Sequence, residues 1–483
     1  TVWHQEKAGV VVALPISVRP VTWYSEVTDD ISPFSTHEHD SGLKESYGRR
    51  EWALYFGATP EVVQSTVGYI GLDTFKEWIL DWPETAKAGD YPRAWYTREG
   101  VARLKQSLDR HPDREAFGRY YVFSGRTEDA IEHGRQAAEG MLAQFGYLGD
   151  WNVGGLSHYR QAQSLAAPAA LADDALACPE LPAELRRELR RALAVGAYLI
   201  SNPDLNPRGA GVHLGNNNMP INRTSTLLYF AGLLPDHPLY GYWMQKGTEF
   251  IQFKLGTYIA PDGAPNEPPM YQLYGPLRFL SDAVTVIHNT GGPDLARKLL
   301  DNGRYLATMT MPDARFDGRR ILPGMGNSGN FLDSCYGFLI ADADRLDKDT
   351  AGLLQAVYRR AWPTEPLGSR WGNHMGMAFR YLPDVPESRA PLTTTVFPTY
   401  GVMFRAHYDT PGETAMLFRI GANWGHWDTD ALNLVLYGKG APLSPGTGYQ
   451  YYYGPATEGN AIYHNRVKLG QPDLQEVFGR VDN

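Results

Sequence analysis

Residues 423–437, NWGHWDTDALNLVLY, lie where the spacing of apolar residues is that of β-strands. Leu432, Leu434 and Leu436 occupy every second position, and successive residues of a strand point to opposite faces of a sheet. Residues 393–406 and 414–421 are also rich in β-branched and aromatic residues. We therefore predict an antiparallel β domain over residues 391–483, with so few strands that it is an incomplete sheet or sandwich.

Upstream of residue 390 the spacing is helical instead. After Pro182, Leu185, Leu189 and Leu193 line one face of a predicted helix, and the charged residues between them face solvent. Thr127 is placed to cap another helix. The same pattern predicts further helices over residues 97–108, 226–234, 240–255, 274–289, 294–309 and 350–361.

Many consecutive helices joined by short turns that contain Pro or Gly indicate helical hairpins packed in a ring or solenoid. We assign residues 51–390 to this helical domain. Residues 1–50 are left as an N-terminal arm without a predicted fold, because their β character is broken by Pro15 and Pro20. The predicted class is a multidomain α+β protein.

Charge and composition exclude several kinds of partner. The formal net charge is -9 and the sequence pI is about 5.8, whereas DNA, RNA and anionic membranes each require a basic face. The apolar run over residues 10–16 is too short to span a bilayer. The two cysteines, Cys178 and Cys335, provide neither a disulfide framework nor a Cys-based zinc site, so we expect buried thiols.

Four segments resemble the heparinase II/III-like polysaccharide lyases, a superfamily that includes alginate lyases, and they follow one another in the family's order. They are Gly215-Asn216-Asn217-Asn218-Met219-Pro220, Asp262-Gly263-Ala264-Pro265-Asn266-Glu267-Pro268-Pro269-Met270-Tyr271, Leu322-Pro323-Gly324-Met325-Gly326-Asn327, and residues 397–467 with their Trp-Gly-His426-Trp and Tyr-His464-Asn motifs. The resemblance implies an incomplete α/α toroid followed by an antiparallel β domain. It also implies a secreted or periplasmic lyase that cleaves an acidic polysaccharide by β-elimination.

The resemblance assigns three catalytic residues. Asn217 matches the family's asparagine that neutralises the substrate carboxylate, and its amide group supplies two donors. Tyr271 matches the catalytic tyrosine, so we expect it to protonate the leaving oxygen and keep open that it is also the base. His426 matches the histidine of the β domain, whose intrinsic pKa suits a proton acceptor near neutral pH. Tyr274 is the nearest rival to Tyr271.

Further residues are assigned to substrate binding or to a metal site. Position 218, commonly histidine in the family, is Asn218 here, and an amide is not a general base. The expected substrate-binding residues are Asn218, Tyr274, Arg223, Tyr449, Trp427 and His464. The family's zinc positions align with Asp428, Ser444 and His464; serine is a poor zinc ligand, so we expect no metal and no cofactor.

Two alternatives remain open from the residues themselves. One is a glycoside hydrolase on an α/α toroid, for which Asp262 and Glu267 would be the carboxylate pair. The other is a carbohydrate-binding protein that has the fold without the activity.

Structural explanations also exist for single residues: Asn217 can cap a helix, and His426 can stack between Trp424 and Trp427. Arg278, Arg405 and Arg466 are additional candidates for contacts to carboxylates. The sequence does not choose the polymer, endo or exo action, or the oligomeric state.

Overall fold

The computed structural model describes residues 2–3, 14–15, 78–149, 165–201, 218–265, 267–313, 319–326, 337–361, 378–388, 390–420 and 432–444. Near the N-terminus, β1 (Val2–Trp3) pairs antiparallel with β2 (Leu14–Pro15). Helices dominate the described residues from 98 to 361, and an antiparallel sheet follows. Buried apolar side chains form one cluster that runs from Leu80 to Tyr437, so helices and sheet share a core. Within this described part, no helix is long and apolar enough to cross a membrane.

The α-helices follow one another along most of the described chain. In chain order they are α1 (Arg98–Ser107), α2 (Arg114–Phe117), α3 (Tyr121–Ser124), α4 (Thr127–Gly149), α5 (Ala166–Leu176), α6 (Ala183–Ser201), α7 (Asn218–Gly232), α8 (Tyr240–Tyr258), α9 (Pro269–Gln272), α10 (Arg278–Asn289), α11 (Ala296–Met309), α12 (Leu339–Leu346) and α13 (Lys348–Ala361). Short 3₁₀ turns lie at Ala88–Asp90 and Leu108–Arg110, and a π-helical turn spans Leu273–Leu277.

Neighbouring helices along the chain are also neighbours in space. α4 packs on α5 and α6, α6 on α7, α7 on α8 and α10, and α11 on α12 and α13. Glycines allow two of these contacts to be close: a Cβ on Gly196 would lie 2.4 Å from the ring of Phe230, and one on Gly247 would lie 2.6 Å from Leu228. This arrangement agrees with the predicted helical hairpins.

Helices with regular apolar spacing were predicted close to their observed bounds, but α7 was not. It begins at Asn218, whereas its predicted start was residue 226. The missed turns are polar, and their hydroxyls bond inside the helix: Ser225 donates to the Ile221 carbonyl at 2.8 Å and Thr226 to the Asn222 carbonyl at 3.0 Å. Because side chains such as these usually compete with helix formation, their spacing gave no helical signal.

Several elements within the helical domain were not predicted, namely the alanine-rich α5 and the short helices α2, α3, α9 and α12. A hairpin also interrupts the helices: β3 (Met311–Asp313) pairs antiparallel with β4 (Arg319–Ile321). This hairpin was not predicted, because its strands of three residues are too short for a period of two to stand out.

The C-terminal sheet has five antiparallel strands in the order β5-β6-β7-β8-β9. They are β5 (Thr395–Phe397), β6 (Gly401–Ala406), β7 (Thr414–Arg419), β8 (Leu434–Gly438) and β9 (Ala441–Ser444). Met403, Leu417 and Val435 are buried on the face toward the helices, whereas Phe404 on the other face is 42% exposed. The predicted strand over 393–406 is two strands, because the chain turns before Gly401, where a Cβ would lie 2.1 Å from the Phe418 carbonyl oxygen.

A buried ionic cluster attaches the sheet to the helices. Glu413, 2% exposed, accepts hydrogen bonds from both Nη atoms of Arg320 at 2.8 Å and pairs with Arg405. Arg405 also donates to the carbonyls of Thr308 and Thr310, at 2.7 and 2.6 Å, where α11 ends. The expectation that Arg405 contacts a substrate carboxylate was therefore wrong, because its guanidinium is occupied inside the protein.

The same cluster sets the protonation of its carboxylate. Burial alone would raise the pKa of Glu413, but the hydrogen bonds and charge of Arg320, the Asp409 amide and the charge of Arg405 lower it below the ordinary value. A lowered pKa means that the ionised form stabilises the fold above about pH 4.3, the ordinary pKa of glutamate. This stabilisation is lost as the pH falls through the lowered pKa of the folded state.

We expect Glu413→Gln to lower the free energy of unfolding by about 3–5 kcal/mol at pH 7, because it leaves two buried guanidinium groups without a counter-charge. Urea unfolding followed by circular dichroism measures this change. The difference from the unaltered protein should shrink as the pH falls below about 4.3, the ordinary pKa of glutamate, and through the lowered pKa of Glu413 in the folded state.

Glu387→Gln is the matched control. Glu387 pairs with Arg359 at 2.9 Å, but the two side chains are 35% and 42% exposed. Its loss should lower the free energy of unfolding by less than about 1 kcal/mol. Equal losses for the two variants would show that the buried cluster contributes no more than a surface ion pair.

Candidate functional site

Tyr271 lies in a distorted helical segment that links α8 to α10. Its own helix, α9, begins at Pro269, and the π-helical turn with Pro276 follows immediately. Proline has no N–H and its ring collides with the carbonyl four residues earlier, so a regular α-helical turn is disfavoured here. The wider π turn relieves that collision, and such turns are frequent at functional sites. The Tyr271 side chain is 8% exposed.

Buried polar residues support the turn that carries Tyr271. The backbone N–H of Gln272 donates to the Pro268 carbonyl at 2.9 Å. The Tyr258 hydroxyl donates to the side-chain oxygen Oε1 of Gln272 at 3.5 Å. Burial raises the pKa of Tyr258 well above its ordinary value, and the charge of Glu267 raises it further. Tyr258 therefore stays neutral at physiological pH and acts as a hydrogen-bond donor beneath the turn.

α7, which begins within the first family-like segment, packs in parallel with α10, which follows the second segment in the sequence. Ser225 Oγ donates to the Phe279 carbonyl at 2.8 Å, and Tyr229 OH donates to Asp282 Oδ2 at 3.1 Å. These pairs advance in the same direction along both helices, so the helices run parallel. α7 also contacts the π turn that follows Tyr271.

The beginning of the second segment forms a tight turn anchored on α11. The Gly263 amide donates to the Ala260 carbonyl at 3.0 Å, and the Gly263 carbonyl accepts from Asn302 Nδ2 at 2.8 Å. Gly263 has φ +84°, and a Cβ there would lie 2.4 Å from the Asp301 carbonyl oxygen. Only glycine combines this conformation with this close approach.

This turn bonds directly to the fourth family-like segment. Both carboxylate oxygens of Asp262 accept from Thr399 Oγ1, at 3.0 and 2.9 Å, and Oδ2 also accepts from the Thr399 amide at 3.2 Å. Thr399 lies in the turn between β5 and β6. The connection from β7 to β8 starts at the same end of the sheet, because Phe397 pairs with Gly401 and Gly401 with Arg419.

The predicted site residues are distributed unevenly over the described chain. Tyr271 lies two residues before the π turn, and Tyr274 is the second residue of that turn. Asn218 begins α7, and Arg223 is half-buried on the same helix. Five others lie outside the described residues: Asn217, His426, Trp427, Tyr449 and His464.

Two further arginine candidates and the buried thiols can also be placed. Arg278 is 7% exposed at the start of α10, its guanidinium over the ring of Phe279, so it lies in the core of the helical domain. Arg466 is outside the described residues. Cys178 is a buried free thiol, as expected, and Cys335 is outside the described residues.

The described part of the chain contains no set of side chains that could bind a metal ion. Among those residues, no group of three His, Cys, Asp or Glu side chains could hold an ion. Ser444, one of the aligned zinc positions, ends β9, while Asp428 and His464 fall in ranges that the structure does not describe.

The carboxylate pair of the hydrolase alternative is engaged in structural contacts. Asp262 accepts the Ala264 amide at 3.1 Å in addition to its bonds from Thr399. Glu267 is only 2% exposed. A hydrolytic acid and base must reach a glycosidic bond and a water molecule, so these contacts favour structural roles for both carboxylates.

Two residues at this junction, Thr399 and Asn302, were not identified from the sequence. Neither belongs to a local pattern that predicts a role, since each acts on a residue distant in the chain. Position within the fourth segment was the only available signal for Thr399.

We expect Gly263→Ala to lower the free energy of unfolding by roughly 1–3 kcal/mol, because the residue is held at positive φ against the backbone of α11. Gly256→Ala on α8 is the control: nothing lies within 4 Å of its Cβ position. That change should instead stabilise the helix by about 0.5–1 kcal/mol. Thermal unfolding of the two variants makes the comparison, and a harmless Gly263→Ala would contradict the anchoring of the turn.

No protein-family model matches this chain, and no curated protein matches it. Similar solved structures include the heparinase III-BT4657 gene product, with 13% identity and a TM-score of 0.45, covering 92% of this chain and 69% of that one. Heparinase III follows with 14% identity and a TM-score of 0.44, covering 94% and 67%. Heparan sulfate lyase HepC from Pedobacter heparinus has 14% identity and a TM-score of 0.44, covering 90% and 61%.

The chain spans only part of the length of these proteins, from 52% of a heparan sulfate lyase HepC mutant to 69% of the heparinase III-BT4657 gene product. The resemblance to heparinase-like lyases that the sequence predicted is thus found again among solved structures. This likeness concerns the fold and assigns no role to any residue of this chain.

Proposed function

We propose that this protein is a polysaccharide lyase that cleaves a uronic-acid-containing glycan by β-elimination. The observation that supports the proposal is the parallel packing of α7 and α10, together with the contact between α7 and the π turn that follows Tyr271. We propose that Asn217, which precedes α7 in the sequence, acts beside Tyr271. An amide and a phenol would then face the same sugar.

The bonds between Asp262 and Thr399 support a place for His426 in the same site. The connection that contains His426 starts at the sheet end that these bonds hold against the Tyr271 segment. We infer that its imidazole approaches the substrate from the sheet, opposite the amide and the phenol. Trp427 and Tyr449 would offer aromatic faces to the sugar rings, and His464 a further polar contact.

The proposed reaction transfers one proton out of the sugar and one into the leaving group. Asn217 donates hydrogen bonds to the uronate carboxylate, which stabilises negative charge as the adjacent C5 proton leaves. The positive end of the α7 dipole attracts the same carboxylate. His426 or Tyr271 accepts the proton, the C4–O bond breaks, and a C4=C5 double bond forms. Tyr271 protonates the departing oxygen.

The remaining assignments complete the proposal. Residues 51–390 would form the incomplete α/α toroid and residues 391–483 the β domain, with the active site between them and residues 1–50 as an arm. Asn218, Arg223 and Tyr274 would contact the bound glycan. The substrate would be an acidic polysaccharide, and the protein would act in the periplasm or outside the cell.

The direct test is an incubation of the full chain with alginate, heparan, chondroitin, hyaluronan and glucuronan polymers while ultraviolet absorbance is followed. A lyase produces an absorbing unsaturated sugar at each cleavage. Absence of absorbance on every polymer, with a folded protein, contradicts the proposal. New reducing ends without absorbance would indicate hydrolysis, and binding without either product would indicate a carbohydrate-binding protein.

On whichever polymer is cleaved, we expect Tyr271→Phe to lower kcat by about 100-fold or more, because the leaving oxygen loses its proton donor. Tyr242→Phe on α8, where the side chain is 54% exposed, should leave kcat unchanged. Tyr274→Phe tests the nearest rival and should retain most of the activity. Loss of activity in Tyr274→Phe alone would transfer the role of proton donor to Tyr274.

Asn217→Asp separates substrate recognition from helix capping. Asn217 immediately precedes Asn218, the first residue of α7, and aspartate is as favourable as asparagine at a helix cap. We expect the midpoint of thermal unfolding to stay unchanged. The value of kcat/KM should fall by about 100-fold or more, since a carboxylate cannot donate to the substrate carboxylate and repels it. An active Asn217→Asp variant would restrict Asn217 to capping.

A further inference from the structure

Two side chains that the proposed chemistry does not use join the Tyr271 segment to the sheet. Thr399 Oγ1 lies 3.0 and 2.9 Å from the two carboxylate oxygens of Asp262, and the Thr399 amide lies 3.2 Å from Oδ2. Hydrogen bonds to an ionised acceptor are stronger than neutral ones, and two donors on one carboxylate fix its orientation. We call this pair the Asp262–Thr399 tie.

The Asp262 end of the tie is immobilised by its own turn. Asp262 Oδ1 accepts the Ala264 amide at 3.1 Å, and the Ala260 amide donates to the Ala264 carbonyl at 2.9 Å. Asn302 then holds the Gly263 carbonyl on α11. The Asp262 carboxylate cannot shift relative to α11 without breaking these bonds.

The Thr399 end leads to both ends of the connection between β7 and β8. The neighbouring Tyr400 accepts the Ile420 amide on its carbonyl at 2.8 Å. The Arg419 amide donates to the Asn433 carbonyl at 2.9 Å, which brings the two ends of the connection together. A path of hydrogen bonds therefore runs from the Ala264 amide through Asp262 and Thr399 to Ile420.

We propose that Asp262 and Thr399 are positioning residues that hold the segment leading to Tyr271 against the end of β7, where the connection to β8 begins. This inference rests on the proposed function, in which groups from those two segments act on one sugar. A misplacement of about 1 Å can cost about 100-fold in rate. Loosening the tie lowers the fraction of molecules in which phenol and imidazole are aligned, while the groups that bind substrate on either side remain.

The kinetic test uses three single variants of the full chain on a cleaved uronate polymer. Thr399→Val removes the hydroxyl and keeps the side-chain shape; kcat should fall about tenfold with KM unchanged. Thr399→Ser restores the hydroxyl and should restore kcat. Thr395→Val is the matched control, because Thr395 Oγ1 bonds only to the Thr393 carbonyl, at 3.1 Å, in its own strand. A wild-type kcat in Thr399→Val, or a change confined to KM, overturns the positioning role.

A second measurement tests the tie without lyase activity. Amide hydrogen exchange at Ile420 should be faster in Thr399→Val than in the unaltered chain and unchanged in Thr395→Val, since loosening the tie opens the bond to Tyr400. Unchanged exchange at Ile420 overturns the tie whatever the kinetics. If the unaltered protein cleaves no uronate polymer, the proposed function fails and exchange alone decides on the tie.

Asp262→Asn adds a coupling test. If the two residues act through one contact, the double variant Asp262→Asn with Thr399→Val should lose no more kcat than the more severe single variant. Losses that multiply would show that the residues act separately and would overturn the tie as a unit.

Discussion

The C-terminal end of α11 is the place on which the junction of helices and sheet depends. The last carbonyls of a helix lack partners within it and carry partial negative charge, and Arg405 supplies the missing donors from the sheet. Glu413 neutralises Arg405 and recruits Arg320 from the β3–β4 hairpin. A buried charge is tolerated only when it is paired and hydrogen-bonded, so this cluster favours one position of the sheet against α11.

The same helix also holds the segment that leads to Tyr271. Asn302 on α11 binds the Gly263 carbonyl, and Tyr305, one turn further along, packs edge-on against Phe397 and Tyr400 at ring separations of 5.1 Å. One face of α11 thus contacts both the segment that leads to Tyr271 and the sheet. The π turn around Pro276 then sets the direction in which the segment of Tyr271 runs away from α11.

Sequence patterns were informative where one physical signal dominated. The regular leucines of α6 and the alternation in β8 predicted their elements, although Val435 and Tyr437, and not the leucines, are the buried residues of β8. The start of α7 was missed because its polar residues are buried by contact with α10, which no local pattern reports. Arg405 was misjudged for the same reason: an arginine is exposed by default, and only its tertiary partners bury it.

By itself the sequence determined the change from helical to β structure near residue 390 and selected Tyr271 from many tyrosines through its segment. Periodicity and local motifs act over a few residues, which is the range over which a sequence can be read directly. The tertiary structure decided that α7 packs on α10 and on the π turn after Tyr271, and that Asp262 bonds to Thr399. Those two residues are 137 positions apart. The geometry of such a contact is a property of the packed chain, because no local pattern brings residues so distant in sequence together.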